Sequence, residues 1–317
     1  MAELKFRLFS DNGSITEPKE VFSYELSRDA DAPCDSLRLC FLYSGKAEEF
    51  TLCEVYDGNG LIFCGLCDMQ REENEKSGIN CFIYARSSAC ILTDSEAEPY
   101  TYESPSARSL FIINAEKFGF TFDMDDVVCK GKYVVSKGCS CYSAINRLVL
   151  EKTGRSITVT PDGRITQGTN GKSVKIESTE VISERRIINR GAPVSQIDYK
   201  TASDGAYSHH IKSRFLERKG ISRRKKVNLS ALFDWQREGE LKNILRSSAA
   251  EYDCVEIVLA SERNIGLYES IEYADTGVDS LSDYRVCSVC ISLDGNGAKT
   301  RIRLTREIDL EEIMYVD

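Results

Sequence analysis

The sequence predicts an α+β protein that is mainly β, with two β-barrel-like domains, a helix-containing middle domain and one helix inserted in the second barrel. Short apolar or alternating segments recur in both end regions, and turn residues separate them. Helical spacing of apolar residues is confined to the middle and to one later stretch. The chain is long enough for roughly two domains of ~150 residues. We predict a first barrel over 1–103, a small α+β domain over 104–177 and a second barrel over 178–317.

The first domain is predicted from strand-like segments and one hairpin turn. The segments are KFRLFS (5–10), VFSYELS (21–27), SLRLCFLY (36–43), EFTLCEVYD (49–57), LIFCGLCDMQ (61–70) and INCFIYARS (79–87). Asp57-Gly58-Asn59-Gly60 is a strong hairpin signal, because Asp-Gly and Asn-Gly tolerate positive φ. The acidic stretch 94–104 is predicted to be a connection to the middle domain.

The middle domain is predicted from two helices and a β-hairpin. Apolar residues lie at helical spacing over 106–119 and over 139–154, and each stretch ends at a glycine that suits a helix C-terminus. Residues 156–160 are β-branched and read as a strand. Pro161-Asp162-Gly163 then predicts a turn into a returning strand.

The last domain returns to strands and contains the inserted helix. The predicted strands are SVKIES (173–178), EVISERRII (180–188), VSQIDYK (194–200), VEIVLA (255–260), YRVCSVCISL (284–293) and TRIRLTREI (300–308). Apolar residues at helical spacing predict one helix over about 229–252. The turn at 294–297 repeats the Asp-Gly-Asn-Gly sequence of the first domain.

Composition narrows the range of functions. The net charge of −9 argues against a general nucleic-acid binder, because phosphate neutralisation needs an excess of lysine and arginine. No apolar run approaches the ~20 residues of a membrane span, and the first residues lack the pattern of a secretory signal. Thirteen cysteines in such a chain predict free thiols in a reducing compartment.

Two Cys-x-x-Cys pairs, Cys64/Cys67 and Cys287/Cys290, are the most conspicuous candidates for chemistry. Both lie in predicted strands, where residues i and i+3 point to opposite faces, whereas zinc needs both thiolates on one side. A redox dithiol normally begins a helix, and no helix is predicted after either pair. We predict thiols packed within sheets; a zinc site joining the pairs and a redox dithiol are the alternatives.

The two pairs also mark a weak internal repeat. Each lies on a strand that is followed by a turn and by a second strand with arginine near its end. This pattern predicts one hairpin plan in both halves of the chain. Coincidence between generic β patterns is the alternative.

Histidines and clustered aspartates give little support for a catalytic or metal site. His209 and His210 are the only histidines, and neighbours on a strand point to opposite faces. Asp123, Asp125 and Asp126 resemble a calcium loop only loosely, since the glycine and the terminal glutamate of an EF-hand are missing.

A phosphate-binding loop and a serine nucleophile are not indicated either. Gly171-Lys172-Ser173 follows Gly168 too closely for the spacing of a P-loop. No nucleophile elbow of the Gly-x-Ser-x-Gly type occurs. We therefore predict a protein that is not an enzyme and assign no catalytic, cofactor-binding or metal-binding residue.

One basic cluster, formed by Arg223, Arg224, Lys225 and Lys226, stands out from the acidic background. Such a cluster is a candidate interface for an anionic partner. The alternative is an exposed loop before the predicted helix.

Three stretches together resemble the baseplate hub proteins of contractile tails, of the Mu-like (late-control-gene-D-like) kind found in phages, prophages and bacteriocin particles. They are VYDGNGLIFCGLCDMQRE (55–72), CSCYSAINRLVLEKTGRSITVTPDGRI (139–165), and LKNILRSSAAEYD (241–253) followed by VEIVLA and YRVCSVCISLDGNGAKTRIRLTRE (284–307). Each stretch is weakly specific, but their order matches the family over most of the chain. The cysteine content and the basic cluster depart from the family pattern.

The resemblance implies a homotrimer in which each subunit contributes two related barrels, so that three subunits form a pseudo-sixfold ring. Such a ring joins a six-fold tail tube to a three-fold central spike. Implied partners are further copies of the chain, the tube protein, the spike protein and, in addition, tape-measure and baseplate wedge proteins, with no membrane and no specific nucleic acid. The implied location is the bacterial cytoplasm during assembly and then the baseplate of the virion or particle. No cofactor is implied.

A β-rich module that binds a ligand or the cell wall is the alternative function. Fifteen tyrosines are available to contact such a ligand. Trp235, the single tryptophan, lies on the predicted inserted helix, which disfavours a sugar-stacking platform.

Overall fold

The computed structural model describes residues 4–43, 48–75, 78–168, 173–273, 281–307 and 313–316, and it confirms an α+β protein that is mainly β. The helices are α1 (Ala89–Asp94), α2 (Ala107–Asn114), α3 (Cys141–Thr153), α4 (Arg214–Arg218) and α5 (Asp234–Tyr252). The strands of the first half are β1 (Lys5–Ser10), β2 (Ile15–Thr16), β3 (Glu20–Asp29), β4 (Ser36–Tyr43), β5 (Phe50–Asp57), β6 (Gly60–Glu75), β7 (Gly78–Ser87), β8 (Tyr100–Glu103), β9 (Thr121–Phe122), β10 (Lys132–Val135) and β11 (Ile157–Val159). Those of the second half are β12 (Arg164–Gln167), β13 (Ser173–Ile176), β14 (Val181–Ile188), β15 (Gln196–Lys200), β16 (His209–Ser213), β17 (Arg224–Asn228), β18 (Asp253–Leu259), β19 (Ser270–Tyr273), β20 (Tyr284–Asp294), β21 (Gly297–Arg306) and β22 (Ile313–Val316).

Eleven strands from both ends of the chain form one large sheet, in the order β14-β18-β21-β20-β3-β4-β7-β6-β5-β1-β2. The first four strands come from residues 181–306 and the other seven from the first hundred residues. We call these groups the C-terminal lobe and the N-terminal lobe. They meet where β20 pairs antiparallel with β3.

The two predicted hairpins lie in this sheet. Strands β5 and β6 pair through the turn at Asp57 and Gly60, and Gly58 adopts a φ of 58° there. Strands β20 and β21 pair through Asp294 and Gly297, and Gly297 has a φ of 97°. Glycine meets both requirements without steric cost, which is why these turn sequences predicted the hairpins.

The described strands form no closed barrel. The strands of both predicted barrels join in a single sheet, and its order ends at β14 on one side and at β2 on the other. The predicted domain boundaries remain a prediction.

The main core lies on one face of the large sheet and draws on both lobes. Leu39 and Ile83 of the N-terminal lobe and Ile257 and Ile302 of the C-terminal lobe belong to the same cluster, with no exposed surface. Apolar residues alternate with polar ones along these strands, which places every second side chain in this core.

The middle of the chain has its own core around α2 and α3. Helix α2 begins at Ser106, whose hydroxyl accepts a hydrogen bond from the Ser109 amide, and α3 ends at Gly154 with a φ of 75°. Both helices were predicted from periodicity and from a terminal glycine, Gly119 or Gly154. Helix α2 ends at Asn114, earlier than predicted, and a short 3-10 helix (Glu116–Phe118) leads to Gly119, which has a φ of 86°. Leu110, Ile145 and other apolar residues of the two helices pack together.

A separate four-stranded sheet, in the order β17-β15-β16-β22, packs against α5. Ile197 and Ile211 of the sheet contact Leu241 and Leu245 of the helix, and all four are buried. The inserted helix was therefore predicted correctly, although it begins at Asp234 rather than near Leu229.

Several short elements differ from the prediction. Helix α1 follows β7 directly, and β8 lies within the stretch predicted to be a connection. Strand β17 contains most of the basic cluster, so the alternative of an exposed loop is wrong for Arg224 to Lys226. These segments are short and lack a clear periodicity, so tertiary pairing rather than local pattern sets their conformation.

Candidate assembly surfaces

The edge strand β14 is the most exposed strand of the large sheet. None of its eight residues is buried, although its neighbour β18 is largely buried. The exposed fractions of Ile182 and Ile188 are 53% and 43%. A long edge strand with exposed β-branched side chains is a typical site for pairing with another chain.

A bulge shapes this edge. The pairing register with β18 shifts between Val181 and Ser183, so Ile182 has no partner across the ladder. Two ion pairs fix the rest of the strand to β18: Arg185 with Glu256 and Arg186 with Asp253. The strand is therefore anchored while its outer apolar side chains stay uncovered in the single chain.

The opposite edge of the sheet is also open. Strand β2 has two residues and pairs only with Leu8 and Phe9 of β1. The exposed fraction of Ile15 on β2 is 58%. Among the described residues, the two ends of one sheet thus present two different uncovered edges.

At the junction between the lobes, a strand of one lobe pairs with a strand of the other. Strands β20 and β3 align residue for residue from Ser288 opposite Asp29 to Leu293 opposite Tyr24. Leu26 and Ile291 face each other across this junction, and each is 1% exposed. Both residues belong to the main core, so this pairing joins the apolar interiors of the two lobes.

The basic cluster lies at the free edge of the second sheet. Strand β17 pairs parallel with β15 and has no other strand partner in the described part of the chain. Arg223, Arg224, Lys225 and Lys226 are all exposed. The sequence predicted these residues as an interface with an anionic partner, which stays a prediction, and the fold places them along one edge.

Polar contacts accompany the cluster on the outer face of this sheet. The Gln196 amide and the His210 ring bond to the same oxygen of Asp198, at 2.5 and 2.8 Å. Desolvation opposes ionisation of Asp198, but these hydrogen bonds and the nearby Arg224 charge outweigh it and lower its pKa. Asp198 thus stays a carboxylate near the Arg224 charge.

The cysteine pairs lie on strands, as predicted. Cys64 and Cys67 are on β6, and Cys287 and Cys290 are on β20; all four are free thiols. Burial raises the pKa of Cys67 to about 12 and that of Cys287 to about 11. Raised pKa values disfavour the thiolate that metal binding and nucleophilic attack both require.

A bulge lies at or beside a cysteine in each of these strands. The register of β6 with β7 shifts between Cys67 and Met69, and that of β20 with β21 shifts between Val286 and Ser288. The two hairpins thus share this feature. The internal repeat itself stays a prediction.

The remaining candidate residues lie apart from one another. His209 contacts Asp204 and the Tyr199 ring, whereas His210 contacts Asp198, so the two imidazoles face opposite sides as predicted. No group of three or more metal-ligating side chains occurs in the residues that the structure describes.

The clustered aspartates serve local structure. Asp123 pairs with Arg164, and Asp126 accepts the Arg108 amide at the start of α2. Of the Gly-Lys-Ser sequence, Ser173 begins β13, while residues 171–172 lie outside the described residues.

Trp235 joins α5 to the middle of the chain. Its indole donates a hydrogen bond to the Lys132 carbonyl at 3.0 Å and stacks on Tyr133 at 5.6 Å between ring centroids. The residue is thus engaged in packing, which agrees with its predicted place on the inserted helix. Across the described residues, no helix combines the length and apolarity needed to span a bilayer.

Comparison with known proteins relates this fold to phage tails. A 43 kDa tail protein of prophage MuSo2 from Shewanella oneidensis superimposes with a TM-score of 0.76, at 15% identity, over 95% of this chain and 98% of that chain. A tail protein from Neisseria meningitidis gives 0.73 at 14% identity, over 96% of each chain. An Escherichia coli type VI secretion component, described as similar to the T4 tail proteins gp27 and gp5, gives 0.59 at 11% identity, over 97% of this chain and 77% of that chain.

Sequence comparison alone finds no relative. No protein-family model matches the chain, and no curated protein matches it. The chain thus has the fold of prophage and phage tail proteins, in agreement with the resemblance noted in its sequence.

Proposed function

We propose that this chain is the structural hub of a contractile phage-tail-like baseplate, a homotrimer that joins the six-fold tail tube to the three-fold central spike. The observation that carries the proposal is the two-lobed sheet with an uncovered edge at each end. The tail-protein fold supports it. The proposed role is structural, because a hub needs surfaces that bind other proteins and does not need a chemical reaction.

The lobe arrangement suits this symmetry. The β20–β3 junction joins two lobes side by side within one chain. If β14 of one chain meets the β1–β2 edge of the next, the same side-by-side arrangement continues from chain to chain. Because the two edges differ, the contact is head-to-tail, and it forms a ring when the rotation from one chain to the next is a third of a turn. Three chains then supply six lobes, which matches a six-fold tube on one side and a three-fold spike on the other.

The partners of this hub are the tube and spike proteins, with tape-measure and baseplate wedge proteins as further contacts. The place of assembly is the bacterial cytoplasm, and the final location is the baseplate of the particle. The E. coli type VI component with a similar fold supports a place in a tail-like assembly, since it is described as similar to the T4 tail proteins gp27 and gp5.

Light scattering with paired isoleucine variants tests the proposal. The wild-type chain, measured alone and with its tube and spike proteins, is expected to form a trimer. Replacing Ile182 and Ile188 on β14 by glutamate places charge in the ring contact, so this double variant is expected to stay monomeric. Ile112→Glu with Ile113→Glu on α2 is the matched control, because these residues have similar exposed fractions of 50% and 44%.

The control is expected to remain trimeric. A chain that stays monomeric even with both partner proteins, and that binds cell-wall fragments instead, would contradict the hub and favour the β-rich binding module. Equal loss of the trimer in both double variants would also contradict the role of β14.

A further inference from the structure

Charge is strongly segregated along the chain. Residues 200–226 contain nine lysines and arginines and two acidic residues, so this segment carries a charge of +7 within a chain of net charge −9. The segment includes β16, α4 and the first three residues of β17. Such a separation of charge creates a local field that attracts an anionic partner to one surface.

The four residues of the basic cluster form no close ion pair in the described residues, although the Asp198 carboxylate lies near the Arg224 charge. In the part that the structure describes, none of Arg223, Arg224, Lys225 and Lys226 has a carboxylate within 4 Å. By contrast, the exposed arginines Arg38 and Arg164 each form an ion pair. The cluster therefore keeps its charge available at the surface.

The strand geometry gives the cluster a direction and a spacing. Arg224 lies opposite Gln196 and Lys226 opposite Asp198, so the two cations lie on the same face of β17. Successive residues of one face are about 6.6 Å apart along a strand. A second extended chain paired along β17 has the same repeat, so alternate carboxylates on it lie beside Arg224 and Lys226.

A neighbouring tyrosine adds to the cationic face. The ammonium groups of Lys200 and Lys226 lie 5.2 and 5.5 Å from the centre of the Tyr207 ring. The ring holds two cations on one side of the sheet edge, which concentrates positive charge where an added strand would lie.

We infer that the free edge of β17 binds an acidic, extended segment of a partner protein as an added strand. Main-chain hydrogen bonds along the edge supply affinity, and alternate carboxylates supply specificity. A second copy of β17 is excluded as the added strand, because it would place lysines and arginines beside those of the first copy. Nucleic acid is disfavoured, because the net charge of the whole chain repels it and because it cannot use the main-chain groups of the edge.

The inference extends the proposed hub by naming the chemistry of one partner, and it does not need the ring to form. The probe is a labelled peptide of about nine residues, the length of a strand, in which glutamate alternates with threonine. Its binding to the full-length chain is measured by fluorescence anisotropy. Matched probes are the same peptide with glutamine for glutamate, and single- and double-stranded DNA of equal charge.

Two sets of variants separate charge from strand pairing. Arg224→Glu with Lys226→Glu is expected to weaken binding of the acidic peptide about tenfold or more. Lys130→Glu with Lys137→Glu, two exposed lysines of the middle region, changes the net charge equally and is expected to leave binding unchanged. Two further peptides test the strand pairing: one is N-methylated at the odd-numbered residues and the other at the even-numbered residues. Only one of these sets of amides faces β17, so one peptide is expected to lose binding and the other to keep it.

Binding of the DNA probes as tightly as the peptide would overturn the inference, and so would equal binding by the wild type and the R224E/K226E variant. Equal binding of both N-methylated peptides would exclude an added strand. Loss of the trimer in the R224E/K226E variant, seen by light scattering, would instead assign this edge to a second copy of the chain. The Ile182 and Ile188 variants test the hub separately, so failure of one proposal is distinguishable from failure of the other.

Discussion

Arg186 on the exposed edge strand β14 holds the buried Asp253 of β18 through two hydrogen bonds, of 3.0 and 2.7 Å. The Asp253 side chain is 2% exposed, and it also accepts the Tyr284 hydroxyl at 2.7 Å. The carboxylate therefore depends on two partners, one of which belongs to the proposed interface. This contact couples the edge strand to the interior of the sheet.

Removing the Arg186 cation should lower the free energy of unfolding more than removing the Asp253 carboxylate does. Arg186→Met leaves a buried carboxylate with only the tyrosine, so we expect the free energy of unfolding to fall by about 2–3 kcal/mol. Asp253→Asn keeps a hydrogen-bonding group and leaves Arg186, which is 41% exposed, free to contact water. We expect a smaller loss of about 1 kcal/mol. Urea unfolding of both variants measures the difference, and a larger loss for D253N would contradict this account.

Glu151 on α3 gives the protein a pH-dependent stability. One of its carboxylate oxygens is buried without a hydrogen-bond partner in the described residues. Burial is the main reason why its pKa rises to about 7 from 4.5. Because the folded state disfavours the ionised form, the contribution of this group to stability is complete below about pH 4.5. It is lost progressively as the pH rises towards 7.

The substitution Glu151→Gln removes this dependence. We expect E151Q to be more stable than the wild type by about 2 kcal/mol at pH 8, a value reduced for partial exposure, and nearly equal to it at pH 4.5. Thermal unfolding across this pH range is the measurement. Glu116→Gln, at an exposed position, is the control for loss of a surface carboxylate. A difference between E151Q and the wild type that does not change with pH would contradict the assignment.

Sequence patterns predicted the elements whose burial is one-sided. Helix α3 and strands such as β7 bury every residue of one periodic face, so periodicity and turn residues were enough to find them. Strand β17 has no such signal, because its Arg-Lys-Lys-Val-Asn sequence is exposed except at Val227. Its conformation depends on pairing with β15, which is distant in the sequence.

The candidate surfaces were predicted only in part. The basic cluster was visible as a run of charge, but its place on a sheet edge was not. Strand β14 was predicted as a strand, yet Val181–Ile188 resembles the buried Asp253–Leu259 in its β-branched content. Exposure of an apolar strand depends on where the sheet ends, and sequence periodicity does not encode this position.

The Cys-Gly-Leu-Cys sequence has a steric explanation that involves its glycine. A Cβ atom at Gly65 would lie 2.3 Å from the Arg86 carbonyl oxygen and 2.5 Å from the Phe63 ring. These positions belong to β6 and to the paired strand β7. The glycine thus allows the two strands to approach closely.

We therefore expect Gly65→Ala to lower the free energy of unfolding by about 2–3 kcal/mol through overpacking. Gly60→Ala is the matched control in the same strand, since its Cβ would meet only the Asp57 carbonyl oxygen at 3.5 Å. Its effect is expected to stay within about 0.5 kcal/mol. Chemical unfolding of both variants tests the steric account, which fails if G65A is as stable as G60A.

The thiols of the two Cys-x-x-Cys pairs should react slowly in the folded protein. Burial raises the pKa of all four, to about 12 for Cys67 and about 11 for Cys287. Alkylation requires the thiolate, whose fraction at pH 8 falls tenfold for each unit by which the pKa rises. We expect iodoacetamide to modify these cysteines about a hundredfold more slowly in the native chain than in urea.

Mass spectrometry of peptides after timed labelling gives each rate, and the unfolded chain serves as its own control. If these cysteines reacted in the native chain as fast as in the unfolded chain, and if added zinc stopped the reaction, the thiolates would be accessible. That result would restore a metal site as the explanation of the two pairs.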